Sequence, residues 1–354
     1  MSSYVSIKSK VLSFVAMCAV LIIHNNTAGE NASNWNVMFQ WAFSRLATSW
    51  AVPFFFLVSG FWAFKMTNAV FDGYGRMMAK KVKTLLVPYV LWVVIAGLIG
   101  LPLVMFNNHV THRPLFDRTF LGYCGVWGKI DALWGITQLG PRGNMALWFV
   151  RSLFIIFLAF PLWSLLGKLS KWLWVLVGFV CALGFPMVMI PGLEVRLGSI
   201  GWFLLGLAVA KFSLAEWHIP VWIPGVTMVG SLFLIIFFAM EHAGYLVLPE
   251  WTVRFTVLIQ PLGMLFWAGL FDCIWKEEYT IPDFFGMTFW IYCLHEVVSA
   301  YFRGAGLYLL GKSDSVTIML ALVCPVITLI VCIFAGRFVQ KLLPKTYGVL
   351  TGER

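Results

Sequence analysis

Long apolar runs separated by short polar or charged segments repeat along the whole chain. The length of these runs, about 17–25 residues, is what an α-helix needs to cross a bilayer. They predict about ten transmembrane helices, at residues 7–24, 46–64, 84–104, 147–166, 172–190, 195–212, 221–240, 252–274, 285–303 and 316–338. The sixth run contains Arg196, and the ninth contains His295 and Glu296. The pattern predicts an all-α polytopic bundle that forms one membrane domain over residues 1–354.

The composition agrees with this class of protein. Hydrophobic residues make up 61% of the chain and charged residues 11%, against roughly 25% charged in a soluble domain. The seven cysteines form no CxxC pair and lie mostly in apolar runs, so they predict neither disulfides nor a metal site. No small-residue cleavage site follows the first run, which is therefore interpreted as a permanent helix.

An even number of helices puts both termini on one side, and the lysines and arginines predict which side. With the N-terminus inside, the larger set of cations is cytoplasmic: Lys8, Lys10, Lys65, Arg76, Lys80, Lys81, Lys83, Lys168, Lys171, Lys211, Lys276, Arg337, Lys341, Lys345 and Arg354. The smaller set is outside: Arg45, Arg113, Arg118, Lys129, Arg142, Arg196, Arg254, Arg303 and Lys312. Both termini are thus predicted to be cytoplasmic, and residues 105–146 to form a long outer loop. The net charge of +10 reflects topology and predicts no nucleic-acid partner.

This orientation gathers ionisable side chains in the outer half of the bilayer. His24 ends the first span, His295 and Glu296 lie in the ninth, and Arg151 lies about one turn inside the fourth. Three further arginines begin spans at the outer surface, Arg45, Arg196 and Arg254. An intramembrane charge needs a partner or a wet cavity, and Glu296 is one candidate partner for Arg151. His24 has the near-neutral pKa of a general base, although it can equally face lipid headgroups.

A basic cluster precedes the third span, with Arg76, Lys80, Lys81 and Lys83. It is suited to hold the phosphates of a charged cofactor, but such residues also satisfy topology and bind anionic lipid. His109 and His112 are spaced like part of a metal site. We interpret them as solvated loop residues and predict no metal.

Five segments resemble, in family order, motifs of the acyltransferase 3 integral membrane proteins, which O-acylate carbohydrates and other envelope molecules. They are the end of span one at His24-Asn25, residues 53–61 (PFFFLVSGF), 80–89 (KKVKTLLVPY), 147–154 (LWFVRSLF) and 289–296 (FWIYCLHE). One position departs from the family pattern. The family usually has a basic residue eleven positions before the first-helix histidine, where this chain has Ser13. Lys10, nearly one turn away, is the nearest cation.

The resemblance implies a bacterial inner-membrane enzyme that moves an acyl group, often acetyl, from acyl-CoA to a hydroxyl of an envelope carbohydrate or glycolipid. It implies catalytic roles for His24 as general base, Arg151, His295 and Glu296; substrate binding by Arg45, Ser59, Trp148 and Tyr292; and donor binding by Lys10, Lys80, Lys81 and Lys83. Arg151 or Ser59 would stabilise the oxyanion. The chain has no lipase-type nucleophile elbow, which favours direct transfer.

Two other functions stay open. A transporter or flippase of an anionic or glycolipid substrate would also place arginines in a wet cavity between helices, although no inverted repeat is visible. A non-catalytic partner of envelope-polysaccharide proteins is the second alternative, and Ser13 makes it less remote.

Overall fold

A computed structural model describes residues 3–29, 32–111, 125–136, 140, 141, 143–191, 193–276 and 279–353. The helices in these residues are α1 (Ser3–Ile23), α2 (Asn34–Thr48), α3 (Ala51–Ala63), α4 (Val70–Lys81), α5 (Val87–Thr111), α6 (Gly125–Trp134), α7 (Trp148–Leu158), α8 (Phe160–Leu169), α9 (Lys171–Phe179), α10 (Leu197–Lys211), α11 (Trp222–His242), α12 (Ile259–Ile274), α13 (Thr288–Leu310), α14 (Asp314–Leu342) and α15 (Pro344–Thr351). Tighter 3₁₀ segments are Phe64–Ala69, Met145–Leu147, Leu214–Glu216, Glu250–Leu258 and Asp283–Met287, and wider π-helical segments are Val82–Leu86 and Val180–Gly184. Within this part of the chain the predicted all-α class is confirmed, apart from one short hairpin of β1 (Met189–Ile190) and β2 (Val195–Arg196).

Among the described residues, six helices are long and apolar enough to cross a membrane: Ser3–Ile23, Asn34–Met66, Gly73–Pro102, Trp222–His242, Glu250–Ile274 and Asp314–Leu342. A seventh arises if Met145–Leu158 and Phe160–Leu169, which are bent by 56° at their junction, form one span. The bend precedes Pro161, which lacks an N–H and crowds the preceding turn. The chain is a multi-pass membrane protein, with fewer clear spans than the sequence predicted. The cytoplasmic placement of both termini stays a prediction.

The missing spans have local causes. The predicted fifth and sixth spans are the shorter apolar helices Lys171–Gly184 and Leu197–Lys211, because the β-hairpin takes up the residues between them. The ninth is α13, which is 23 residues long but carries His295, Glu296 and Arg303. These polar side chains make α13 more polar than the six spans.

The helices extend beyond two of the predicted boundaries. The second span begins at Asn34 instead of 46, where Ser33 caps the helix by accepting from the Asn36 N–H at 3.2 Å. Arg45 therefore lies in the last turn of α2. The predicted outer loop at 105–146 is partly helical, since α5 continues to Thr111 and α6 follows at Gly125. Outside the described residues lie His112, Arg113, Arg118, Cys124, Arg142, Arg354 and the side chain of His109.

Helices α3 and α10 pack with their backbones in close contact. A Cβ on Gly60 would collide with the Phe203 carbonyl oxygen, and a Cβ on Gly206 would collide with that of Leu57. Small residues allow this approach between helices in a membrane. The pair therefore brings the second half of α3 directly against the middle of α10.

The chain changes helical phase before α5. Pro88 has no N–H, and its ring crowds the carbonyl of Thr84 four residues earlier. Residues Val82–Leu86 form a π-helical turn there, with the Val87 N–H donating to the Val82 carbonyl. Because this turn is wider than an α-helical one, residues before and after it do not keep one regular face.

Candidate active site

Side chains from α1, α2, α3, α7, α10, α12 and α13 line a cavity of about 310 Å³, which we call the histidine cavity. Its polar lining comprises His24, Arg45, Ser49, Arg196, Ser199, Gln260 and Tyr292, and its aromatic lining Phe55, Phe56, Trp148, Phe149 and Trp202. The volume is at the lower end of small-molecule sites in proteins, roughly 300–1,000 Å³. The structure thus brings together His24, Arg45, Trp148 and Tyr292, which the sequence predicted separately.

His24 contacts a second imidazole behind it. His24 is the first residue after α1. Its ring centroid lies 4.8 Å from that of the fully buried His295, with an angle of 72° between the ring planes. His295 Nδ1 lies 2.6 Å from the Tyr292 carbonyl oxygen, which can only accept, so Nδ1 carries the proton. His295 Nε2 is then an acceptor, and it has no hydrogen-bond partner among the described residues.

The backbone at His24 is held by α13. The Arg303 guanidinium donates to the His24 carbonyl oxygen. The neighbouring Asn25 amide is buried and donates to the Leu21 carbonyl at 2.7 Å and to Ser299 Oγ at 3.1 Å. These contacts fix the end of α1, so the His24 imidazole has a defined position in the cavity.

Glu296 fixes the segment that precedes α7. Its carboxylate accepts from the Ala146 N–H at 2.5 Å, and Tyr292 Oη donates to the Ala146 carbonyl. Asn144 Nδ2 donates to the Cys293 carbonyl at 2.8 Å. The carboxylate also lies within electrostatic range of His24. Glu296 therefore positions one wall of the histidine cavity.

Arg151 lies apart from both histidines. Its guanidinium donates to the carbonyl oxygens of Trp134, of Gly135 at 2.8 Å and of Glu194 at 3.0 Å. Glu296 was one of two candidate partners for Arg151. These two described residues form no ion pair, and Glu296 accepts from the Ala146 N–H instead. Arg151 is 1% exposed and is not among the described residues that line the histidine cavity. The geometry favours a role in tying α6 and the β-hairpin to α7, and a catalytic role stays a prediction.

A second cavity, of about 770 Å³, lies on the other side of the same aromatic side chains, and we call it the lysine cavity. Its polar lining comprises Lys10, Ser13, Ser59, Lys80, Lys81, Thr84, Thr288, Tyr292 and Glu353. Lys81 Nζ lies 3.8 Å from the centroid of the Phe157 ring, and Ser59 Oγ donates to the Phe55 carbonyl at 2.7 Å. Three of the four predicted donor-binding lysines therefore meet here. Lys83 is exposed and is not part of the described lining.

Lys10 and Ser13 line the lysine cavity together. The other cation of this part of α1, Lys8, is engaged elsewhere, with its Nζ 2.6 Å from Asp272 Oδ1. Lys10 thus supplies a positive charge on the same side of the helix as Ser13.

Three aromatic residues, Phe55, Phe149 and Tyr292, line both cavities. The Phe149 ring packs edge to face on Tyr292 at 5.7 Å between centroids and against Phe55 at 5.8 Å. We call these residues the shared wall. Both cavities therefore open onto the same three side chains, with lysines on one side and His24 on the other.

Sequence reasoning missed three polar lining residues, Ser49, Ser199 and Gln260. It also missed Arg303, which supports the cavity through the His24 carbonyl. A signal for Arg303 existed, because His295, Ser299 and Arg303 are spaced by four residues and share a helix face. Ser49, Ser199 and Gln260 lie in three separate elements, and nothing in the sequence links them.

These features define a multi-pass membrane protein with two polar cavities that meet at an aromatic wall. The model of the acyltransferase 3 family, described as an acyltransferase domain, matches residues 10–337. The chain therefore belongs to this family and is a membrane acyltransferase. Searches of the curated proteins and of the solved structures gave no match.

Proposed function

We propose that this acyltransferase moves an acyl group, acetyl in the simplest case, from acyl-CoA in the lysine cavity to a hydroxyl of an envelope carbohydrate or glycolipid in the histidine cavity. The observation that carries this proposal is the shared wall of Phe55, Phe149 and Tyr292. A thioester bound among the lysines would need to cross only that wall to reach a hydroxyl beside His24.

The lysine cavity suits the donor in charge and size. Lys10, Lys80 and Lys81 offer three ammonium groups, opposed in the described lining by the carboxylate of Glu353. Ammonium groups bind phosphates as point charges. Because acyl-CoA is cytosolic and lysines favour the cytoplasmic side, we place this cavity on the cytoplasmic side of the bacterial inner membrane.

His24 acts as the general base. Its imidazole takes the acceptor hydroxyl proton while that oxygen attacks the thioester carbonyl carbon. The tetrahedral intermediate collapses with cleavage of the C–S bond, and the proton passes from His24 to the departing thiolate. Products are the acyl ester and free CoA, and no covalent enzyme intermediate is needed.

His295 orients this base. With its proton on Nδ1, its Nε2 can accept from an N–H of His24, which leaves the other His24 nitrogen unprotonated for the hydroxyl. Glu296 stabilises the imidazolium that forms during transfer. Ser59 beside Phe55 is the hydroxyl placed to donate to the oxyanion, after turning from the Phe55 carbonyl.

The test is turnover of radiolabelled acetyl-CoA by purified protein in nanodiscs, with and without sugar acceptors. We expect transfer or slow hydrolysis in the wild type, and a loss of about a hundredfold or more in His24→Ala. His242→Ala is the matched control, because His242 is exposed and is not part of the described lining of either cavity. A transporter would leave the thioester intact, and a well-folded His24→Ala variant with full activity would exclude His24 as the base.

A further inference from the structure

The histidine cavity contains two arginines and no acid among its described lining residues. Arg45 comes from the last turn of α2, and Arg196 directly precedes α10. The nearby carboxylate of Glu296 is not part of the described lining and accepts from the Ala146 N–H. The lining itself therefore carries a net positive charge.

Both guanidinium groups lack an acceptor in the described part of the chain. The Arg45 guanidinium carbon lies 5.2 Å from the centroid of a Trp41 ring, and that of Arg196 lies 5.3 Å from a Trp148 ring. Stacking on a ring occupies the face of a guanidinium and leaves its N–H edge for other partners. No hydrogen bond or ion pair to either arginine is observed among these residues, although Arg196 is half-buried.

Among the described residues, the two other arginines that are not exposed have backbone acceptors. Arg151 donates to three carbonyl oxygens, and Arg303 donates to that of His24. Arg76, Arg254 and Arg337 are exposed. Cations held in a membrane protein are normally paired or open to a water-filled cavity. In the histidine cavity, the exposed Arg45 and the half-buried Arg196 both line the space with N–H groups that have no acceptor among the described residues.

Neighbouring polar groups are also suited to an anion. Ser49 Oγ is buried and has no partner among the described residues. Gly198 and Ser199 line the cavity from the first turn of α10, where amide N–H groups carry the positive end of the helix dipole. The hydroxyl and the two guanidinium groups together offer donors around one space of about 310 Å³.

Building on the proposed function, we propose that the acceptor is anionic. It carries a carboxylate or phosphate that Arg45 and Arg196 bind while its reacting hydroxyl lies at His24. Trp148 and Trp202 supply the apolar surface on which a sugar ring packs. The anionic oxygens have two possible sources, the carboxylate of an acidic sugar or the phosphate of a lipid-linked sugar.

The experiment compares matched charged and neutral acceptors. One arm pairs methyl glucuronide with methyl glucuronamide, whose C6 amide is neutral and adds no hydroxyl, and the other pairs a polyprenyl phosphate glycoside with the neutral polyprenyl glycoside. For each pair the ratio of kcat/KM, charged over neutral, is measured in wild type, Arg45→Gln, Arg196→Gln and the double variant. Arg254→Gln is the matched control, because Arg254 is exposed and not part of the described cavity lining.

We expect a wild-type ratio well above one in at least one arm, which also identifies the source of the anion. Each single variant should lower that ratio roughly tenfold, the loss typical of a hydrogen bond between charged groups, and Arg254→Gln should leave it unchanged. Equal use of charged and neutral acceptors, with ratios unmoved by the arginine variants, would overturn the inference while leaving acyl transfer in place.

A second readout separates this inference from the proposed function. If no acceptor supports acetyl-CoA turnover, the proposed function fails, and binding of the same probes is measured by calorimetry. Binding of a charged probe that is stronger than that of its neutral partner and weakened in both arginine variants supports the anion site. Equal binding of each pair rejects it.

Discussion

The two cavities hold their cations in different ways. In the lysine cavity, Lys10 and Lys80 are exposed on flexible side chains, and Lys81 is half-buried over Phe157. In the histidine cavity, Arg45 is exposed, Arg196 is half-buried near Trp148, and His24 packs on the buried His295. Flexible ammonium groups attract a phosphate with little demand on geometry, whereas planar stacked groups fix direction. We infer that the lysine cavity serves binding and that the histidine cavity serves orientation and chemistry.

The largest expected effect is a loss of kcat when the histidines at the histidine cavity are replaced. His24→Ala should lower kcat about 10²–10⁴-fold, the usual contribution of a general base. His295→Ala should lower it less, because His295 acts through His24. The double variant should be no slower than His24→Ala, since residues that work as a unit are not additive.

Steady-state kinetics at saturating acetyl-CoA measure this cycle, with thermal unfolding of each variant as the check on folding. Fully multiplicative losses in the double variant would contradict a shared role and would give His295 a separate contact with substrate.

The next effect is on stability. Arg151→Leu removes the donor for three buried carbonyls, at Trp134, Gly135 and Glu194. We expect the free energy of unfolding to fall by roughly 2–4 kcal/mol. Adding Glu296→Leu should not restore it, because Glu296 bonds to Ala146 instead. Tryptophan fluorescence during denaturant titration in detergent measures the stability of both variants. Recovery of stability in the double variant would show that Arg151 and Glu296 are paired after all.

Much of the architecture could be predicted from apolar run length, as α1, α11 and α14 show by closely matching their predicted spans. The site was predictable only in part. His24 and Tyr292 could be found because the family motifs contain them. The partners of Arg151 could not be found, since they are backbone carbonyls 16 and 43 residues away and every residue type has such a carbonyl.

Helical phase accounts for the position of Lys83 outside the described lining of the lysine cavity. Lys80, Lys81 and Lys83 form one basic run, and sequence alone treats them alike. The π-helical turn at Val82–Leu86 begins directly after Lys81, so Lys83 does not continue the regular α-helical face of the two lysines before it. Pro88 signals a disturbed helix, but it does not say which lysine turns away.

The lysine cavity should respond through binding alone. Removing the charges of Lys10, Lys80 and Lys81 by substitution with Gln should raise the KM for acetyl-CoA about twofold to fivefold each, with kcat nearly unchanged. Lys83→Gln is the matched control and should leave KM unaltered. Added salt should raise the KM of the wild type more than that of the triple variant, because salt screens lysine charges that the variant no longer has. A triple variant with wild-type KM would place the donor elsewhere.

The smallest effect concerns Ser13, which stands where the motif that the first helix resembles usually has a basic residue. Lys10 and Ser13 are three residues apart on α1 and line the same cavity, so one cation there can replace the other. Lys10→Gln should raise the KM for acetyl-CoA about twofold to fivefold, and adding Ser13→Arg should return it towards the wild-type value. Ser6→Arg is the control, because Ser6 is exposed and not part of the described cavity lining, so it restores nothing. If Ser13→Arg fails to compensate while Ser6→Arg succeeds, Lys10 acts through the general charge of the surface and does not contact the donor.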